Sequence, residues 1–401
     1  MLKHNFTFKS MLFAAMVAVS LTSCSDDDNP VVEQPDLRTK IDYAKVTATT
    51  PYKALFIDAK GDTTVDLKSG NDRYKMFQAL NYYLGGPIRD GKELDSTVIR
   101  NMFANTGNPF FDINSGAVKV TGTALNTSGV QLKDKTASSK TAAEAEATRK
   151  YLDQAISQIA IASKSVSKTA AKGVAGKLTN GSSSSYLVDA KGIEYGQIIQ
   201  KGLIGALQLD YIGNVLLNKG LEADNKSLVS GQKYTALEHN WDEAYGLLTL
   251  SPVYLIGSTN SVRGTAEQFL GSYIWEYNQA NYAKIHPAFV KGRAAIVNND
   301  AAELKTQATF IRTEMERAIA QAAIGYLGKW KTATDDATRA HAMGEGLGFV
   351  YSMRFCAING ANAAFSDTVL LGLIGSPNGL WDLTAEKVSA ATAAIQAKFK
   401  I

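Results

Sequence analysis

Cysteine and histidine are scarce in this chain, two and four among 401 residues. Two cysteines offer no disulfide framework, so stability has to come from a buried core. His4 lies in the leader, which leaves His239, His286 and His341, and no His-Glu-x-x-His occurs. A histidine-rich hydrolytic zinc site is thereby disfavoured. Also missing are the Gly-x-Ser-x-Gly elbow, the phosphate-binding loop and the dinucleotide fingerprint, so serine hydrolase and nucleotide chemistry receive no support. Charge of one sign is missing too: 42 basic residues face 38 acidic ones. That balance gives no electrostatic case for nucleic acid. What the chain does have is length and a 45% hydrophobic composition, enough to bury one large core or two fused ones.

The N-terminus carries an address. Lys3 and Lys9 precede an apolar stretch at 11–20 that is too short to span a bilayer, and Leu21-Thr22-Ser23-Cys24 follows. Residues 1–23 therefore read as a signal peptide. The last four residues resemble the lipobox of bacterial lipoproteins, which implies cleavage before Cys24, diacylation of its thiol and acylation of its new amino group. Several acyl chains hold a membrane durably where one does not. Ser25, Asp26, Asp27 and Asp28 resemble the acidic tag of surface-exposed lipoproteins in Bacteroidota, implying the outer membrane and its outer face. With Cys24 acylated, Cys356 is the only thiol left and no intramolecular disulfide can form. Residues 24–41, with Pro30 and Pro35, read as a tether.

Beyond the tether the pattern is mainly helical. Alternating pieces around Lys60-Gly61-Asp62 predict a small hairpin in 42–67. Tyr74, Phe77, Leu80, Tyr83 and Leu84 give 72–84 helical spacing, and 96–104 follows as a second short helix within an N-terminal region of 42–114. Residues 115–190 are rich in Ala, Ser and Thr; 140–162 favours helix, whereas 163–185 reads as mobile. From 191 to 400 the spacing predicts a bundle: a central apolar helix at 193–217, then helices at 262–280, 286–299, 301–328, 335–356 and 384–399. The fold class is mainly α, a helical bundle with a small N-terminal β-hairpin region.

Two stretches carry the candidate chemistry. In 233–246, His239 with Asp242 and His239 with Glu243 are one helical turn apart, so one face can present an imidazole and two carboxylates. His341 and Glu345 repeat that spacing in a helix whose apolar residues cover most of its circumference. Glu345 is then a buried carboxylate, which is costly unless paired or bound to a cation. Gly344 and Gly348 on the same face admit a close neighbour. Convergence of His239, Asp242, Glu243, His341 and Glu345 would make a metal site of oxygen and imidazole ligands suited to iron, zinc or manganese. Otherwise His341, Arg354 or Arg293 pairs with Glu345 and the acids are structural. His286, before Pro287, reads as a helix-boundary residue rather than a ligand.

Blocks at 101–110, 201–207, 237–246 and 341–352 resemble those of a Bacteroidota lipoprotein family, domain of unknown function 4856, along nearly all the mature chain. The chain is more remotely similar to the imelysin-like proteins, helical surface or periplasmic proteins associated with iron uptake and once described as peptidases. Their Gly-x-His-x-x-Glu motif falls on Leu237, His239 and Asp242, with Leu for Gly and Asp for Glu. The resemblance implies an imelysin-like fold and metal binding at His239 and Asp242. Three readings follow: a lipoprotein binding iron, another divalent metal or a metal-bearing compound for uptake beside an outer-membrane partner; a binding or scaffold lipoprotein for a glycan or protein; and an imelysin-type metallopeptidase.

Overall fold

The computed structural model describes residues 37–116, 118–249 and 267–401. The leader, Cys24 and the acidic residues Ser25, Asp26, Asp27 and Asp28 lie outside the described residues. Twelve helices are described: α1 Lys68–Arg89, α2 Ser96–Ala104, α3 Gly122–Asn126, α4 Ala142–Ser163, α5 Tyr195–Leu203, α6 Ala236–Leu248, α7 Phe269–Tyr277, α8 Gln279–Val297, α9 Ala301–Thr332, α10 Asp336–Ser352, α11 Ala363–Ile374 and α12 Ala385–Phe399. Polar caps set several starts. Thr141 with Glu144 and Thr235 with Glu238 form reciprocal capping boxes on α4 and α6, and Asp300, Asp335 and Asn362 cap α9, α10 and α11. No described helix is long and apolar enough to cross a membrane.

α9 is the spine, packed along α8 and α10, while α5 lies on α10 and α1 lies on α6. Beyond Leu203 the α5 helix widens into a π-helix over Ile204–Leu216 that is buried almost throughout. This is the central apolar helix that the sequence predicts at 193–217. The mainly α class holds, together with two short antiparallel strand pairs, β1 (Ile113–Ser115) with β2 (Val118–Val120) and β3 (Gly176–Thr179) with β4 (Ser185–Val188).

Several expectations need correction. The hairpin around Lys60-Gly61-Asp62 amounts to one isolated bridge, Ile57 with Thr63. There the Asp58 carboxylate accepts the Lys60 and Asp62 N–H groups, a local turn that competes with a strand ladder. The stretch 163–185 is not structureless, because it contains β3 and leads into β4. Leu178 and Val188 gain burial against Ala337 and Ala340 of α10, an anchor that low-complexity composition conceals. The expected helix at 262–280 lies partly outside the described residues and breaks at Asn278, which caps α8. α8 runs through Pro287, so His286 sits inside a helix rather than at its boundary. α11 has no counterpart in the sequence reading.

Gly70 shows how tightly α1 meets α6. A Cβ there would lie 2.4 Å from the Glu243 carbonyl oxygen and 2.7 Å from the Leu247 nitrogen. Both are backbone atoms that cannot swing aside. Gly70→Ala should therefore cost about 1–3 kcal/mol in denaturant unfolding, despite the ~1 kcal/mol by which alanine favours a helix. A neutral or stabilising result would show that the two backbones are free to separate.

Candidate functional site

The five residues singled out above fall into two separate places. α6 packs on α1, α8 and the π-helix, whereas α10 packs on α5, α9 and α11. Convergence across the two helices is not what the fold produces.

On α6, Asp242 is fully buried and accepts the Tyr52 hydroxyl at 2.9 Å, Arg293 Nε at 3.1 Å and the Asp66 N–H at 3.2 Å. Burial pushes its carboxyl up to about 6, against the pull of Arg293 and these donors. Glu238, one turn earlier, accepts Arg293 Nη1 at 2.7 Å and Arg38 Nη2 at 2.8 Å. Burial opposes its ionisation, but the two guanidinium groups outweigh that and hold it below the usual carboxylate range. Glu243 is paired with Arg73 of α1 and accepts the Tyr211 hydroxyl at 3.1 Å. His239 stands aside, half-buried and stacked on Tyr234, with Nδ1 3.7 Å from an Asp66 oxygen. His286 bridges Thr50 O at 2.7 Å and the Tyr245 hydroxyl at 2.9 Å, as a core histidine does.

This donor set does not fit a metal ion. Each buried acid already faces a guanidinium from another helix, so a second cation would be repelled where it should be held. Among the described residues no group of three or more His, Cys, Asp or Glu side chains is arranged to take one.

On α10, Glu345 is buried as the sequence predicts, but its partner is Lys201 of α5, 3.0 Å away, rather than a group from the helix around His239 or Arg354 or Arg293. A Cβ at Gly348 would lie 2.5 Å from Lys201 Cβ, so the missing side chain lets α5 approach. His341 bonds Glu194, the residue that precedes α5, through Nδ1 at 2.8 Å, while its Nε2 is 3.9 Å from Glu345. The ring stacks on Tyr186 of β4 at 4.1 Å. Glu194, His341, Glu345 and Lys201 thus form a chain of alternating charge along the α5–α10 seam. Burial opposes protonation of His341, but Glu194 and then Glu345 overcome it and raise the imidazole above its usual value. Burial likewise opposes ionisation of Glu345, and Lys201 followed by His341 reverses it, leaving that carboxyl below the usual range. Burial raises Glu194.

Both ends of this chain surface in one cleft. A cavity of about 420 Å³ includes Lys201, Gln78, Asn81, Tyr82, Tyr273 and Trp275 in its lining. An adjoining one of about 310 Å³ includes Glu194, Gln197 and Tyr186, and the two share Asn81, Arg89 and Gln200. Each lies within the ~300–1,000 Å³ of ordinary ligand sites. Three lining residues each hold one polar atom closed off from solvent and without a hydrogen-bond partner: Gln78 Oε1, Gln197 Oε1 and Trp275 Nε1. The sequence reading missed every one of them. Lys201 was the findable member, a lone cation in the apolar run around Ile198, Ile199 and Leu203.

The molecule is thus a mainly helical protein with a polar cleft beside its central helix. Residues 53–401 match the model of the family described as Domain of unknown function (DUF4856), and the chain belongs to that family. No curated protein matches the chain, and no solved structure does.

The raised pKa of His341 fixes the sign of its pH dependence. Its contribution to stability is complete below the ordinary histidine value of 6.5 and is lost as pH rises through the higher folded value. The stability gap between the protein and His341→Gln, measured by denaturant unfolding, should be larger at about pH 5.5 than at about pH 8.5. An equal gap at both would mean that Glu194 does not hold an imidazolium.

Proposed function

We propose that this protein is a lipoprotein held in the outer membrane through acylated Cys24 and displayed at the cell surface, and that its helical domain binds a polyhydroxylated ligand, a glycan, in the cleft. The address rests on the Leu21-Thr22-Ser23-Cys24 motif and on the Ser25, Asp26, Asp27 and Asp28 run.

The observation that carries the ligand class is the lining of the cleft, where the amide side chains of Gln78, Asn81, Gln197 and Gln200 stand beside aromatic rings. Amide side chains both donate and accept hydrogen bonds, so a wall rich in them matches a ligand dense in hydroxyls. A hydroxyl group answers a donor or an acceptor alike. The half-buried Tyr82 and Trp275 rings supply apolar surface for the carbon side of a sugar.

A second reading, uptake of iron or a metal-bearing compound with an outer-membrane partner, draws on the imelysin likeness and on His341 lying beside two carboxylates. It requires a cation to displace Lys201 from Glu345.

Calorimetric titration of the full-length protein in detergent with oligosaccharides separates the two. Asn81→Ala, at the half-buried amide shared by both cavities, should weaken binding about tenfold, the loss of one hydrogen bond, while stability changes by no more than about 1 kcal/mol. No saccharide binding, together with about one bound metal ion per chain that disappears in His341→Ala, would replace the glycan reading with the metal one.

A further inference from the structure

Every charge on the cleft wall but one is already answered. Lys201 is paired with Glu345 and also bonds Gln200. Glu194 is bonded to His341, Glu267 accepts the Tyr282 hydroxyl at 2.8 Å, and Glu276 lies 3.4 Å from Lys329 Nζ. Arg89, near the end of α1, lines both cavities, and among the described residues no carboxylate lies within ion-pair distance of it.

Its guanidinium is nonetheless placed rather than loose. The Arg89 head group lies over the Tyr82 ring at 5.7 Å, and Nη1 sits 3.3 Å from where a Cβ at Gly85 would be. The side chain is folded back along α1 toward the junction of the two cavities, with Asn81 and Gln200 beside it. A guanidinium resting on an aromatic face keeps its fork of N–H donors directed outward, a geometry that matches a carboxylate in two parallel bonds.

We infer that the ligand of this cleft is an acidic glycan, and that Arg89 binds the carboxylate of a uronic acid unit lying across the junction. The inference rests on the glycan reading above and adds a charge to it. Hydroxyls on either side of that carboxylate would face the amide side chains of the two cavities, so Arg89 sets which sugar stands at the centre. Because the guanidinium is solvent-facing and makes no internal ion pair, its replacement leaves the core intact.

The test is calorimetric titration of full-length protein in detergent with oligogalacturonates, with neutral galactose oligomers of the same length and with their sulfated forms. The protein should prefer the oligogalacturonates to the neutral oligomers by about tenfold or more, consistent with one charge-assisted bidentate contact. Arg89→Gln should reduce that preference to about twofold or less, Arg89→Lys should restore part of it, and added salt should diminish it. Equal affinity for acidic and neutral oligomers, or an unchanged preference in Arg89→Gln, would overturn the inference and leave the glycan reading standing. Preference for the sulfated forms would overturn the carboxylate assignment. Failure of all three classes to bind would overturn the glycan reading itself.

Discussion

The described fold is organised around one buried cation. Arg293 of α8 has no solvent exposure and divides its guanidinium between Glu238 and Asp242 of α6 and the hydroxyl and carbonyl of Thr64. Its head group also lies 5.0 Å over the Phe56 ring. The same two carboxylates reach outward again, Glu238 to Arg38 and to the Thr235 N–H, Asp242 to Tyr52 and the Asp66 N–H. Segments distant in sequence are thereby fastened to one point: the approach to α1, α6 and α8. Bringing these charges out of water is expensive, and only good geometry with every remaining donor and acceptor used can offset it. Losing one partner would leave a bare charge in the core.

That brace explains both what the sequence reveals and what it hides. Helical spacing puts Tyr234, Leu237, Trp241, Ala244, Tyr245 and Leu248 on one core stripe; all are buried except Tyr234, which precedes α6 and is half-buried. Asp242 and Glu243 read as candidate metal ligands or structural acids because periodicity says only that a face is polar. Their answers, Arg293 and Arg73, come from two other helices, and no spacing rule within α6 points to either. Glu345 was legible as a buried acid from the apolar circumference of α10, and Gly344 and Gly348 as a place of close approach. The approaching helix, α5, and its Lys201 depend on tertiary packing.

The cleft is the least legible part for the same reason. Gln78, Gln197 and Trp275 come from three different helices, and each looks in sequence like an ordinary polar or amphipathic helix residue. Only folding removes their polar atoms from water without giving them partners. The charge chain Glu194–His341–Glu345–Lys201 lies beneath them as a seam between α5 and α10, holding the cleft floor together by the same means that Arg293 holds α6. The acids of α6 and Glu345 of α10 are matched by cations from neighbouring segments, whereas Asp210, Glu314 and Glu316 are met by hydroxyl, amide and backbone N–H groups.

The central claim, that Arg293 neutralises the acids of α6, is tested most directly by a thermodynamic cycle in denaturant unfolding. Arg293→Met alone should cost about 3–5 kcal/mol, and in a Glu238→Gln, Asp242→Asn background the same change should cost much less, because no stranded carboxylates remain. Equal costs in both backgrounds, or a loss below about 1 kcal/mol in the first, would contradict the account.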